Sequence, residues 1–179
     1  AATGIVVVDE AYGAFHHDSF LPWAGEVENL VVMRTISKIG FAGLRMGYAA
    51  ASPSIMGELA KILPPYNMNQ LSLAAAKFSL KHHQIIQQNI DTLKNERSRV
   101  INELLKLNRL EVFPSEANFI TVRVPDANEL FETLKQNRIL IKKLHGSHPL
   151  LDQCVRITIG SAAQNDAVLA VIKNLYPNL

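Results

Sequence analysis

Two rhythms of apolar residues divide this chain: short unbroken apolar runs near the start, and a period close to 3.6 through its middle. Residues 5–9 (Ile-Val-Val-Val-Asp) predict a β-strand, because β-branched side chains favour the extended backbone and the run has no polar face. An all-apolar strand is expected inside a sheet covered on both sides. One so near the first residue leads us to expect that preceding strands and helices belong with it, and that this is the C-terminal piece of something longer. Residues 10–27 show no sustained period and read mostly as loop. Residues 29–34 and 46–51 predict two further buried strands. Ser52-Pro53 is suited to cap and start a helix reaching about residue 62, which Pro64-Pro65 stops. A helix is predicted over 69–81.

The longest periodic stretch is 83–106, where Ile86, Ile90, Leu93, Val100, Ile101, Leu104 and Leu105 line one face that Arg97 interrupts. Beyond it, elements alternate: strands at 110–113 and 119–124, a helix at 128–137, strands at 139–141 and 155–159, and a helix at 165–175. The fold class read from this is α/β. Residues 1–81 form part of a larger sheet domain, and 82–179 a connecting helix with a small C-terminal domain. No internal repeat interrupts the pattern.

Composition narrows the function classes. The chain is 48% hydrophobic and 19% charged, with a net charge of +2 and both signs interspersed, so nothing marks a nucleic-acid partner. No apolar run is long enough to span a membrane and no signal segment opens the chain. The single cysteine, Cys154, excludes an intrachain disulfide and suits a reducing compartment. A cytoplasmic protein is the expectation.

The candidate chemistry lies in residues 33–48, where an apolar run turns through hydroxyls, a lysine and glycines. Lys38 between hydroxyl residues, with Arg45 seven positions on, suits a ligand carrying both an aldehyde and a phosphate. An amine can form a Schiff base with the aldehyde, and Thr35, Ser37 and the Arg45 guanidinium can hydrogen-bond phosphate oxygens. Gly40, Gly43 and Gly47 permit positive φ or a close backbone approach. Asp9 ends the first strand, and in a parallel sheet it would open at the same edge as this loop. A buried aspartate there needs a cationic partner, such as a pyridinium nitrogen. Tyr12, three residues on, can reach the other edge of such a ring. A Schiff-base lysine with an aspartate on the ring nitrogen is the equipment of a pyridoxal 5'-phosphate site.

With Val8-Asp9-Glu10-Ala11-Tyr12, the stretch from Arg34 to Arg45, Ala117-Asn118-Phe119 and Val155-Arg156-Ile157-Thr158-Ile159-Gly160 in this order, the sequence resembles the fold-type I pyridoxal phosphate aminotransferases. Within them it is similar to the histidinol-phosphate aminotransferase family, over that family's C-terminal half. The resemblance implies a partial large-domain sheet followed by a small domain. It implies Lys38 as the Schiff-base lysine, Asp9 on the ring nitrogen, Tyr12 on the ring oxygen, and Thr35, Ser37 and Arg45 on the cofactor phosphate. It implies Arg156 for the substrate carboxylate or phosphate. Lys142 stands where many relatives have a second arginine, whose forked grip a lysine does not reproduce. The implied substrates are L-histidinol phosphate with 2-oxoglutarate, and L-glutamate in reverse, in a homodimer of the histidine-biosynthetic pathway. An aromatic aminotransferase, a threonine-phosphate decarboxylase and a non-catalytic fragment of such an enzyme stay open as alternatives.

Other residues read as structural. His145-Gly146-Ser147-His148 lacks the helix that would align two metal-ligating rings, so no metal is expected. Cys154 is expected in the core, and Arg123, Arg138, His16-His17 and His82-His83 on the surface, with His16 near Tyr12.

Overall fold

Val6–Asp9 (β1) and Leu30–Thr35 (β2) pair in parallel, Val6 opposite Leu30 and Asp9 opposite Met33. Gly47–Ala51 (β3) returns antiparallel to β2, giving the order β1-β2-β3. These strands belong to a computed structural model in which residues 2–177 are described. The chain divides into two compact units, Ala1–Ile90 and Asp91–Leu179.

In the first unit β2 has a neighbour on each side, and its Leu30, Val31 and Val32 are buried. β1 has a neighbour on one side only, and Ile5 and Val7 remain 64% and 54% exposed. The sequence pattern led us to expect β1 covered on both faces; among the described residues it is an edge strand. The segment expected to be loop contains two short 3-10 turns, Gly13–Phe15 and Leu21–Trp23. Phe15 anchors the first of them at 1% exposure.

Pro53–Ile62 (α1) starts at its proline as expected, but Ser52 does not cap it with its side chain. The buried Ser52 hydroxyl instead bonds the Glu28 carbonyl at 3.1 Å. Gln70–Lys81 (α2) is capped by Asn69, whose side chain accepts from the Ser72 N–H at 2.8 Å. His83–Leu104 (α3) runs through the division between the units.

The second unit holds an antiparallel sheet of order β4-β5-β7-β6, formed by Glu111–Val112 (β4), Phe119–Arg123 (β5), Lys142–Lys143 (β6) and Cys154–Thr158 (β7). Ala127–Gln136 (α4) and Ala162–Leu175 (α5) complete it. Ile120 and Val122 pair with Ile157 and Val155 on one face of the sheet, and all four are buried in a cluster with Leu104, Leu130, Leu134 and Ile172. Asp126 caps α4, and a Ser161–Gln164 capping box starts α5 three residues before the expected position.

Three expectations are corrected here. Residues 139–141 are not a strand: Arg138 takes a left-handed φ of 62°, the Ile139 N–H returns to the Leu134 carbonyl, and pairing begins only at Lys142. Arg123 is more than a surface residue; it pairs with Glu111 and donates to the Leu150 and Asp152 carbonyls at 2.9 and 3.1 Å. Arg97 does not break its apolar face, because its buried guanidinium donates to the Ala117 carbonyl at 2.9 Å. Burial lowers its pKa, with Glu116 acting in the opposite sense. Cys154 is buried with a free thiol, as read from the sequence.

Candidate active site

Parallel pairing of β1 and β2 brings the carboxyl ends of both strands to one edge, where ligands of such sheets gather. Asp9 ends β1, and β2 runs out through Thr35 into the lysine loop. The sequence led us to expect a buried Asp9; among the described residues it is instead exposed on the edge strand, and its Oδ1 accepts the Ala11 N–H at 2.9 Å. That bond closes a local turn and leads the chain toward Tyr12.

Residues Ser37–Phe41 form a single wide turn closed by the Phe41 N–H to the Ile36 carbonyl at 3.3 Å. Gly40 allows it by adopting φ 108°. Gly47 serves differently: a Cβ there would lie 2.8 Å from the Arg34 carbonyl oxygen, so the strand pairing needs its bare backbone. Gly43 shows neither requirement. Thr35 fastens the mouth of the loop, its hydroxyl donating to the Met46 carbonyl at 3.0 Å and accepting the Ser37 N–H at 3.1 Å. The Lys38 amine reaches back to within 5.2 Å of the Tyr12 ring centroid, a cation–π distance. Arg45 is exposed and left-handed at φ 54°, a conformation that costs a non-glycine residue about 1–2 kcal/mol.

Beneath this edge lies a network that the sequence reading missed. The Glu10 carboxylate accepts Arg34 Nε at 3.0 Å, Arg34 Nη2 at 2.8 Å, the Ser19 hydroxyl at 2.9 Å and the Phe20 N–H at 2.6 Å. Its side chain is 8% exposed. Burial pushes the Glu10 carboxyl up, but the Phe20 N–H, Arg34 and Ser19 together outweigh it and hold it below its ordinary value. A carboxylate beside the motif aspartate, with an arginine one residue past its β2 partner, was the available signal.

In the second unit Arg156 and Lys142 are directly paired across β7 and β6, so they share a face of the sheet, opposite the buried Val155 and Ile157. Thr121 flanks Arg156 on its other side. The guanidinium lies 5.0 Å from the Phe119 ring centroid, and Arg156 Nε is buried without a hydrogen-bond partner among the described residues. Lys142 is exposed. Neighbouring Lys143 points the other way, bonding Asn128 at 2.7 Å. The two histidines at 145 and 148 build their own loop, His145 against Asp152 at 2.8 Å and His148 accepting the Leu150 N–H at 3.1 Å. Among the described residues no group of three or more His, Cys, Asp or Glu is arranged to hold a metal. No described helix is long and apolar enough to cross a membrane.

Residues 1–172 match the family model for aminotransferases of class I and II. The chain belongs to this family. The aminotransferase relationship extends to a curated histidinol-phosphate aminotransferase of Neisseria meningitidis, 70% identical over 98% of this chain and 48% of the relative. The chain thus spans about half the length of the curated relatives it matches. Among solved aminotransferases, that of Clostridium acetobutylicum, a histidinol-phosphate aminotransferase, superposes with a TM-score of 0.86 at 28% identity, over 98% of this chain and 55% of the other. A histidinol-phosphate aminotransferase of Sinorhizobium meliloti in complex with pyridoxal-5'-phosphate gives 0.80 at 26% identity, over 96% and 49%. The fold is that of the fold-type I aminotransferases, as the motifs led us to expect.

Proposed function

We propose that this chain is the lysine-bearing part of a pyridoxal phosphate-dependent aminotransferase, and that the whole protein exchanges an amino group between L-histidinol phosphate and 2-oxoglutarate. The observation that carries the reading is the convergence of Asp9, Tyr12 and Lys38 at one sheet edge, with the Lys38 amine against the Tyr12 ring. The names of the relatives support the substrate.

The residues at this edge fit the cofactor's three anchoring points. An exposed carboxylate at Asp9 is suited to a ring nitrogen, the Tyr12 hydroxyl to the ring oxygen, and the strained Arg45 with Ser37 to a phosphate. Thr35 contributes by holding the loop closed at its base. When bound, pyridoxal phosphate supplies an aldehyde for the lysine and a ring that withdraws electrons from the substrate α-carbon. The Lys38 amine is the group that takes and returns the substrate α-proton, a task that needs its neutral form. Arg156, with its orphaned buried Nε, is suited to grip a substrate carboxylate, and Lys142 adds a point charge toward a phosphate. We infer a homodimer from the same resemblance, which light scattering on the full-length protein tests.

The test of the cofactor reading is a pyridoxal phosphate titration of the full-length protein, followed by borohydride reduction and peptide mapping. A single reduced adduct on Lys38, lost in Lys38→Ala, is expected. Adducts scattered over surface lysines would remove the assignment.

A further inference from the structure

Asp9 and Glu10 are consecutive carboxylates that the pleat sends to opposite faces of the sheet. Asp9 shares its face with Met33, its partner on β2. Glu10 faces Arg34, which is registered against Tyr48 on β3. The two therefore do different work. Asp9 is exposed with one local hydrogen bond, whereas Glu10 is half-buried, its carboxylate turned inward, and accepts four.

Glu10 joins β2 and the end of the loop to the turn that carries Tyr12. The Glu10 N–H bonds the Met33 carbonyl at 2.8 Å, extending the β1–β2 pairing by one step. Its carbonyl accepts the Gly13 N–H at 2.9 Å, closing a four-residue turn with Tyr12 at its third position. Gly13 is packed onto the ion pair itself: a Cβ there would sit 3.0 Å from Glu10 Cβ, 3.2 Å from Glu10 Oε2 and 3.7 Å from Arg34 Nε. On the far side, Ser19 accepts Arg34 Nη2 at 2.8 Å and the Leu21 N–H at 2.9 Å, and Phe20 donates to Glu10, so the end of the loop is tied to the same carboxylate. Arg34 belongs to the strand that leads, three residues later, into Ser37 and Lys38.

We propose that Glu10 is a positioning residue: clamped by Arg34, it fixes the turn of residues 10–13 and so sets Tyr12 against the Lys38 amine. Glu10 lies on the face away from Asp9 and acts on the cofactor only through Tyr12. Arg34 Nε and Nη2 both donate to Glu10 Oε2 while the Phe20 N–H holds Oε1. A carboxylate fixed at both oxygens resists rotation, which a single hydrogen bond does not prevent, so the network transmits the strand's rigidity to the tyrosine. This rests on the cofactor reading of Lys38.

The experiment uses the full-length protein and pyridoxal phosphate, with Glu10→Gln, Tyr12→Phe and the double variant. Each is read by circular dichroism, cofactor affinity, the pH midpoint of the visible band of the bound cofactor, and the borohydride-trapped peptide. Glu10→Gln is expected to keep its fold and its Lys38 adduct, to bind the cofactor about tenfold more weakly, the scale of one charge-assisted hydrogen bond, and to shift the band midpoint. In that background Tyr12→Phe is expected to lose at least about half of its own effect on affinity, because its tyrosine is already misplaced. Additive effects, or a Glu10→Gln protein with unchanged affinity and midpoint, would overturn the proposal while leaving Lys38 intact. A wild-type protein with no Lys38 adduct overturns both readings. If Glu10→Gln does not fold, Arg34→Lys carries the same expectations, since it keeps the charge and loses the paired Nε and Nη2 donors to Glu10 Oε2.

Discussion

Lys142 and Arg156 are direct partners across the β6–β7 ladder, so two cations stand side by side on the exposed face of the small sheet. Like charges directly opposite destabilise a pair of strands, by the roughly 0.2–1 kcal/mol that cross-strand pairs carry. Arg156 adds a second cost, since its Nε is buried without a partner. An arrangement that works against stability and concentrates positive charge is suited to an anion supplied from outside the chain. Lys142→Ala is therefore expected to raise the urea midpoint of this chain slightly. In the full-length protein the same change is expected to raise KM for L-histidinol phosphate about tenfold, as befits one lost charged contact, and to leave KM for L-glutamate within about twofold. Equal rises for both substrates would instead place Lys142 at an anion position that the phosphate of one substrate and a carboxylate of the other both use.

The stability of the first unit is expected to depend on pH through Glu10. Its folded pKa lies below the ordinary value of 4.5, because the hydrogen bonds of Phe20, Arg34 and Ser19 outweigh its burial. A lowered folded pKa means that the unfolded chain binds the proton first as pH falls. The contribution of Glu10 is thus complete well above pH 4.5 and is lost progressively below it, down through the depressed folded value. Urea unfolding of the wild type and Glu10→Gln should differ most near pH 7 and converge as the pH falls below 4.5 and through the depressed folded value. A difference that stays constant across this window would mean that the pair contributes by shape rather than by charge.

The particular residues show why some of this was legible in sequence and some was not. Asp9, Tyr12 and Lys38 could be placed at one edge because each follows a short apolar run, and parallel pairing of those runs does the rest. The Glu10–Arg34–Ser19 network escaped because its members lie 9 to 24 residues apart, with no periodicity linking them. Residues 139–141 misled for a different reason: Ile-Leu-Ile has the composition of a strand, but Ile139 is bound to the end of α4 and Leu140 is 79% exposed. The burial of Asp9 was inferred from its apolar neighbours, whereas an edge strand leaves that carboxylate exposed. Local composition identified the elements; which side of each was covered depended on partners far along the chain.

Arg45 separates conformation from chemistry. Its φ of 54° ends the short turn of Ala42–Leu44, and the strain is the kind that persists where a side chain is needed at a fixed point. Arg45→Ala removes the guanidinium and keeps the strained backbone. Arg45→Gly removes both, at the cost of a more flexible unfolded chain. The glycine variant is expected to be the more stable of the two by about 1 kcal/mol, read from urea unfolding of this chain. Both should bind pyridoxal phosphate more weakly in the full-length protein, and by similar factors, because what they share is the lost phosphate grip. If the glycine variant instead kept wild-type affinity, Arg45 would be a loop former and the phosphate would have to be held elsewhere.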